Sequence, residues 1–127
     1  MSQQIDTGRK TYIADAAIAQ FARVVFEADG RVVTAGIAEI GSGIAQTAAL
    51  AAGDAIDVKI WNSTGTFKMI AIEAVAVAAP LYTEAAGKVQ DTAASTSYLF
   101  ARALEASTAD GDIIECELLH WCGVAVA

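Results

Sequence analysis

Leu81-Tyr82-Thr83-Glu84-Ala85-Ala86-Gly87-Lys88-Val89 reads as a strand, a tight glycine-containing turn and a returning strand. Further along, Ala109-Asp110-Gly111-Asp112 opens a second turn, and apolar and polar residues alternate from Ile113 to Leu119. Both features have an echo earlier in the chain. Val24-Val25-Phe26-Glu27-Ala28-Asp29-Gly30-Arg31-Val32 answers the first; Ala51-Ala52-Gly53-Asp54, followed by Ala55 to Ile60, answers the second.

A shift of 57 residues lays Ile13 on Ile70, Ile18 on Val75, Val24 on Leu81, Glu27 on Glu84, Gly30 on Gly87, Arg31 on Lys88 and Val32 on Val89. A shift of 58 then carries Gly53-Asp54 onto Gly111-Asp112, and Ile56, Val58 and Ile60 onto Ile114, Cys116 and Leu118. Alanine matches carry little weight in this composition. The Glu-Ala-x-Gly-basic-Val match, in the same order as the Gly-Asp match, carries a great deal, and it indicates an internal duplication. Two copies are too few for a solenoid. They suit one shared core, so the fold expected is all-β: a small β-barrel or sandwich built from two similar β-meander halves. The pseudo-repeats run over about 11–61 and 68–119, in a single domain over 11–127 preceded by a flexible arm at 1–10.

Local signals agree with this layout. Asp29-Gly30 is a two-residue hairpin signal. Gly36, Gly41 and Gly43 punctuate an apolar stretch in the manner of barrel and sandwich corners. Ala45 to Leu50 is rich in helix formers but too short for a stable isolated helix, so it reads as mostly extended.

Composition narrows the function. The chain has 127 residues, a net charge of −7 and a sequence pI near 4.4. An acidic surface repels phosphate backbones, so nucleic acid is not an expected ligand. The longest apolar run, Ala74 to Leu81, falls far short of a membrane span, and the polar first ten residues show no secretory h-region. A cytoplasmic site of synthesis, with Cys116 and Cys122 reduced, is therefore expected.

Catalytic chemistry finds little support. His120 is the one histidine, and Cys116 and Cys122 share a strand face with it. These are zinc-compatible ligand types, but a structural site wants four ligands, and Cys116 falls on the core position Val58 of the repeat. Glu115 with Glu117, and Asp110 with Asp112, read as solvated strand and turn carboxylates. Gly41-Ser42-Gly43 lacks the Lys-Ser/Thr of a phosphate loop. No catalytic residue, metal or cofactor is expected. Phe100 is expected to close the core. Trp61 and Trp121 are candidate partner contacts; for Trp121, beside Val124 and Val126, core and interface remain equal alternatives.

The order strand, Ala-Gly-Lys-Val turn, polar run Asp91 to Ser97, Tyr98-Leu99-Phe100-Ala101-Arg102-Ala103-Leu104-Glu105-Ala106 and Asp110-Gly111-Asp112 resembles the small Ala- and Gly-rich capsid decoration, or cement, proteins of tailed bacteriophages. The resemblance covers most of residues 11–119 and is one of pattern and composition. The chain departs from it at Phe100, where a glycine is usual, and in the tail Trp121 to Ala127. It implies a non-enzymatic protein that binds the outer face of an assembled phage head and stabilises it. The implied partners are a major capsid protein and further copies of the chain, a homotrimer before a dimer. Arg9 and Lys10, basic residues on an acidic chain, are the candidate capsid contact of the arm. The alternative is a carbohydrate- or cell-surface-binding β module using Trp61, Tyr82 and Tyr98.

Overall fold

Alternation of apolar and polar residues sets the strands, and Gly-Asp or Asp-Gly pairs set the turns between them. The computed structural model describes residues 8–119 together with the backbone of Val124–Ala125. The first half supplies β1 (Arg9–Ile13), β2 (Arg23–Phe26), β3 (Val32–Thr34), β4 (Gly43–Ala45) and β5 (Ala55–Ile60). The second supplies β6 (Phe67–Ile70), β7 (Pro80–Thr83), a 3₁₀ turn at Ala85–Gly87, β8 (Val89–Gln90), β9 (Tyr98–Ala103) and β10 (Ile113–Leu118). A short β11 (Val124–Ala125) pairs with β9. Strand β1 begins at Arg9, so Arg9 and Lys10 lie in the sheet, inside the span assigned to the arm from sequence.

The duplication is visible bond by bond. One sheet runs β1-β5-β4-β2-β3 and the other β6-β10-β9-β7-β8, the same order in the same antiparallel sense. Neighbours in space are thus not always neighbours in sequence, which distinguishes each half from a plain meander. The parallel bridge Ala14–Val32 recurs as Ala71–Val89, and Ile18–Ala49 recurs as Val75–Ser107. Phe21 and Ala78, one repeat apart, both adopt positive φ, at 68° and 70°.

The turn before each last strand is held by the same side chain. Asp54 Oδ2 accepts hydrogen bonds from the amides of Leu50 and Ala51. Asp112 Oδ2 accepts from Thr108 and Ala109 at 2.8 and 3.2 Å, and from the Thr108 hydroxyl at 3.1 Å. The Thr108 amide and hydroxyl, then the Ala109 amide, hold the Asp112 carboxyl below its ordinary range. A carboxylate depressed in the fold contributes stability that is present above its unfolded pKa and is lost as pH falls through the folded one. Asp112→Asn is therefore expected to lower stability at neutral pH and to flatten the acid limb of the stability profile. Thermal melts taken from neutral to strongly acid pH would show it, and an unchanged acid limb would refute it.

Each half has its own core, and the two cores exchange one residue. The first gathers Ile18, Val24, Val32, Ile56 and Val58 and takes in Ile70 from the second half. The second gathers Phe67, Met69, Leu81, Phe100, Ile114 and Cys116 and takes in Ile44 from the first. Phe21 packs against both. Phe100 is fully buried, as its sequence position suggests.

The halves meet head to tail. Ile70 is buried, whereas its repeat mate Ile13 is 38% exposed. Ile44 and Arg23 are fully buried, whereas their mates Arg102 and Pro80 are exposed. A two-fold pairing of the halves would bury both members of each pair.

Candidate functional site

Arg23 sits where the two halves join. Its Nε donates to Lys88 O at 3.2 Å, and Nη2 donates to Glu84 O at 2.5 Å and Gly36 O at 3.3 Å. Nη1 donates to Ile40 O at 3.3 Å and also to Glu39 O. Burial pulls the guanidinium down to about 10, while the Glu39 and Glu84 carboxylates act to hold it up. It is charged at neutral pH, and a planar fork of N–H donors is suited to several carbonyls at once. The turn it grips also closes the seam directly. Gly87 N donates to Ala35 O at 2.9 Å, and the Thr83 hydroxyl donates to Ile37 O at 2.5 Å. In the sequence Arg23 only interrupts an apolar stretch, and its repeat mate is Pro80, so the repeat could not flag it.

Two grooves open beside the seam. The larger, about 600 Å³, is lined by Phe21, Lys59, Thr66, Phe67, Lys68 and Glu115 among others. Its Lys59 and Glu115 are engaged by neutral groups of the same groove. Lys59 Nζ lies 4.4 Å from the Phe67 ring centre and donates to Thr66 O at 2.5 Å, and the Thr66 hydroxyl donates to Glu115 at 2.7 Å. Partial burial, then the charge of Arg9, lowers the Lys59 pKa. The smaller groove, about 270 Å³, is lined by Tyr12, Phe26, Ser42, Ile60, Trp61 and Asn62.

The expected contact residues fall in different places. Arg9 forms an exposed ion pair with Asp57 at 2.9 Å and borders the larger groove. Lys10, exposed on the edge strand β1, lies 5.4 Å from the Tyr12 ring centre. Trp61 is half-buried: its Nε1 donates to Gly41 O at 2.9 Å, and its ring packs on Phe67 and Phe100 with centroids 5.2 and 5.8 Å away. Its remaining surface lines the smaller groove. Trp121, with His120 and Cys122, lies outside the described residues. Tyr82 and Tyr98 belong to β7 and β9, and the aromatic neighbours of Trp61 in its groove are Tyr12 and Phe26 instead.

The carboxylates considered for chemistry have structural occupations. Glu117 pairs with Arg102, and Asp110 with Lys88 at 2.9 Å. Asp15, Glu27 and Asp29 form an exposed trio with oxygens within 4.8 Å of one another. The hydrogen bond that a protonated Glu27 donates to the Asp15 carboxylate raises the Glu27 pKa, and desolvation and the negative charge of Asp15 and Asp29 add to it. Cys116 is buried, and burial pushes its thiol up to about 12, with Glu105 and Glu115 contributing. A thiol so protonated is a poor nucleophile. In a Cys122→Ser variant the remaining thiol is expected to resist a disulfide reagent in the native state and to react only as the protein unfolds. Rapid labelling of native protein would contradict the core assignment.

No family model matches the chain, and no curated protein sequence matches it. Among solved structures the chain is similar to the N base of the head fiber gp8.5 of bacteriophage phi29. The superposition has a TM-score of 0.72 at 17% sequence identity and covers 89% of this chain and 93% of the other. The two share a fold.

Proposed function

We propose that this chain is a structural protein of a phage virion, and that it decorates the outer surface of the assembled head. The observation that carries this reading is the match, over nearly the whole of both chains, to the base of a phage head fiber. The pattern resemblance to capsid decoration proteins supports it independently. The chemistry agrees, because the described residues supply packing, exposed ion pairs and turn-capping carboxylates, and the described cysteine is protonated. Binding only the assembled head would stabilise it by mass action, about 2.7 kcal/mol per site at a hundredfold excess over Kd.

Arg9 and Lys10 on the edge strand are proposed as the basic contact with a major capsid protein, with Trp61 and Trp121 as apolar contacts. Cosedimentation with expanded capsids tests the reading. Wild-type protein is expected to pellet with capsids, and Arg9→Glu/Lys10→Glu to bind roughly tenfold more weakly, with wild-type binding falling as salt rises. Failure of wild-type protein to bind any capsid, together with hits on a glycan array, would favour the carbohydrate-binding alternative at the Trp61 groove.

A further inference from the structure

The seam between the halves is a heterologous contact, so each molecule carries an unused copy of each side of it. On the second half the used side carries Met69, Thr83, Phe100 and Leu118. Ile44 of the first half joins the buried cluster of Met69 and Phe100, Ile40, Trp61 and Leu118 pack against that cluster, and the Thr83 hydroxyl donates to Ile37 O. Shifted back by one repeat, those four positions are Tyr12, Phe26, Ser42 and Ile60. All four line the smaller groove, which stands open at about 270 Å³. The groove is the empty version of a socket that the same molecule fills elsewhere.

Its rim is apolar and acidic. Phe26 is 40% exposed and Ile13 38%; the adjoining turn carries the Glu27 and Asp29 carboxylates, and Asp15, just after β1, lies beside them. The turn itself is open: nothing lies within 4 Å of a side chain built at Gly30, whereas its mate Gly87 is pressed against Ala22 and Arg23. The unused plug lies on the second half, at the mates of Arg23, Ile44 and Gln46. These are Pro80, Arg102 and Leu104, all exposed, with Arg102 paired to Glu117 on the same face.

We infer that a second copy of this chain occupies the socket: the Pro80–Arg102–Leu104 face of one molecule seats against the Tyr12–Phe26 groove of the next. Heterologous contacts close into rings or run on as filaments. Three copies would set six β halves around one axis, which names the surfaces for the trimer that the resemblance to capsid decoration proteins implies. The contact itself rests on the seam; the number of copies rests on that resemblance.

Light scattering on the purified full chain, with two surface variants, tests it. Wild-type protein is expected at three times the 13.1 kDa chain mass. Ile13→Asp/Phe26→Asp, which spoils the socket, and Arg102→Glu/Leu104→Asp, which spoils the plug, are each expected to be monomeric. Mixed in equal amounts they are expected to form a one-to-one dimer and nothing larger, because one intact socket and one intact plug remain. That rescue also shows that both variants are folded. A monomeric wild type, an oligomer that survives both variants, or a mixture that stays monomeric would overturn the proposal.

Discussion

Replacing Arg23 by leucine is expected to cost about 3–5 kcal/mol of stability. Gly36 O and Lys88 O keep the amides of Glu39 and Glu84 as donors. Each of the remaining carbonyls left without a donor costs about 1–3 kcal/mol, less where it can rehydrate. The guanidinium is fully buried and serves carbonyls of Gly36, Glu39, Ile40, Glu84 and Lys88. Leucine supplies apolar bulk and no donor. Lysine keeps the charge and loses the fork, so Arg23→Lys should fall between leucine and wild type. Urea denaturation of the three proteins measures the series. A loss below about 1 kcal/mol for leucine would mean that the carbonyls find water when the arginine is gone, and that the seam is held by Ile44 and Ile70 instead.

The second large effect compares two glycines that the repeat makes equivalent. Both have positive φ, 85° at Gly30 and 71° at Gly87. That conformation costs an alanine roughly 1–2 kcal/mol. At Gly30 this is the whole expected loss, since an added methyl meets open space. At Gly87 the same methyl would lie 2.9 Å from Ala22 Cβ and from the backbone N and O of Arg23, none of which can move without opening the seam. Overpacking of this kind typically adds about 1–3 kcal/mol, so Gly87→Ala is expected to be the more damaging by about 2 kcal/mol. Equal losses from the two substitutions, measured by thermal or urea melts, would show that the halves can slide apart to accept the methyl.

Much of this architecture can be read from the sequence because it depends on local chemistry. Alternation at Ile56, Val58 and Ile60, and again at Ile114, Cys116 and Leu118, requires half-buried strands in whatever sheet they join. Gly53 and Gly111 share φ of 95°, and the aspartate after each caps its turn. The repeat also places Cys116 in the core, through its match to Val58. The joining of the halves is not local, and that part was hidden. Arg23, Ile44 and Ile70 are buried because of what the other half presents, while Pro80, Arg102 and Ile13 stay exposed because no second neighbour does the same for them. A comparison of repeats brings out what the copies share, and the seam depends on where they differ. The candidate contacts divide along the same line. Trp61 is visible as an aromatic at a strand end, but its groove comes from Tyr12 and Phe26 on other strands, a placement that only the strand order decides.

The head-to-tail seam also bears on the order in which the chain can fold. Every strand pair within the first half closes inside residues 9–60, and those of the second, β11 included, inside 67–125. The Arg23 bonds to Glu84 and Lys88 span 61 and 65 residues, and the bond from Thr83 to Ile37 spans 46. Loop-closure entropy therefore favours two sheets that form separately and dock afterwards. Docking last makes the seam the natural place for the native molecule to open first, as a unit distinct from either sheet. The Gly87 amide, bonded to Ala35 across that seam, would then exchange its hydrogen ahead of the ladder amides on either side of it.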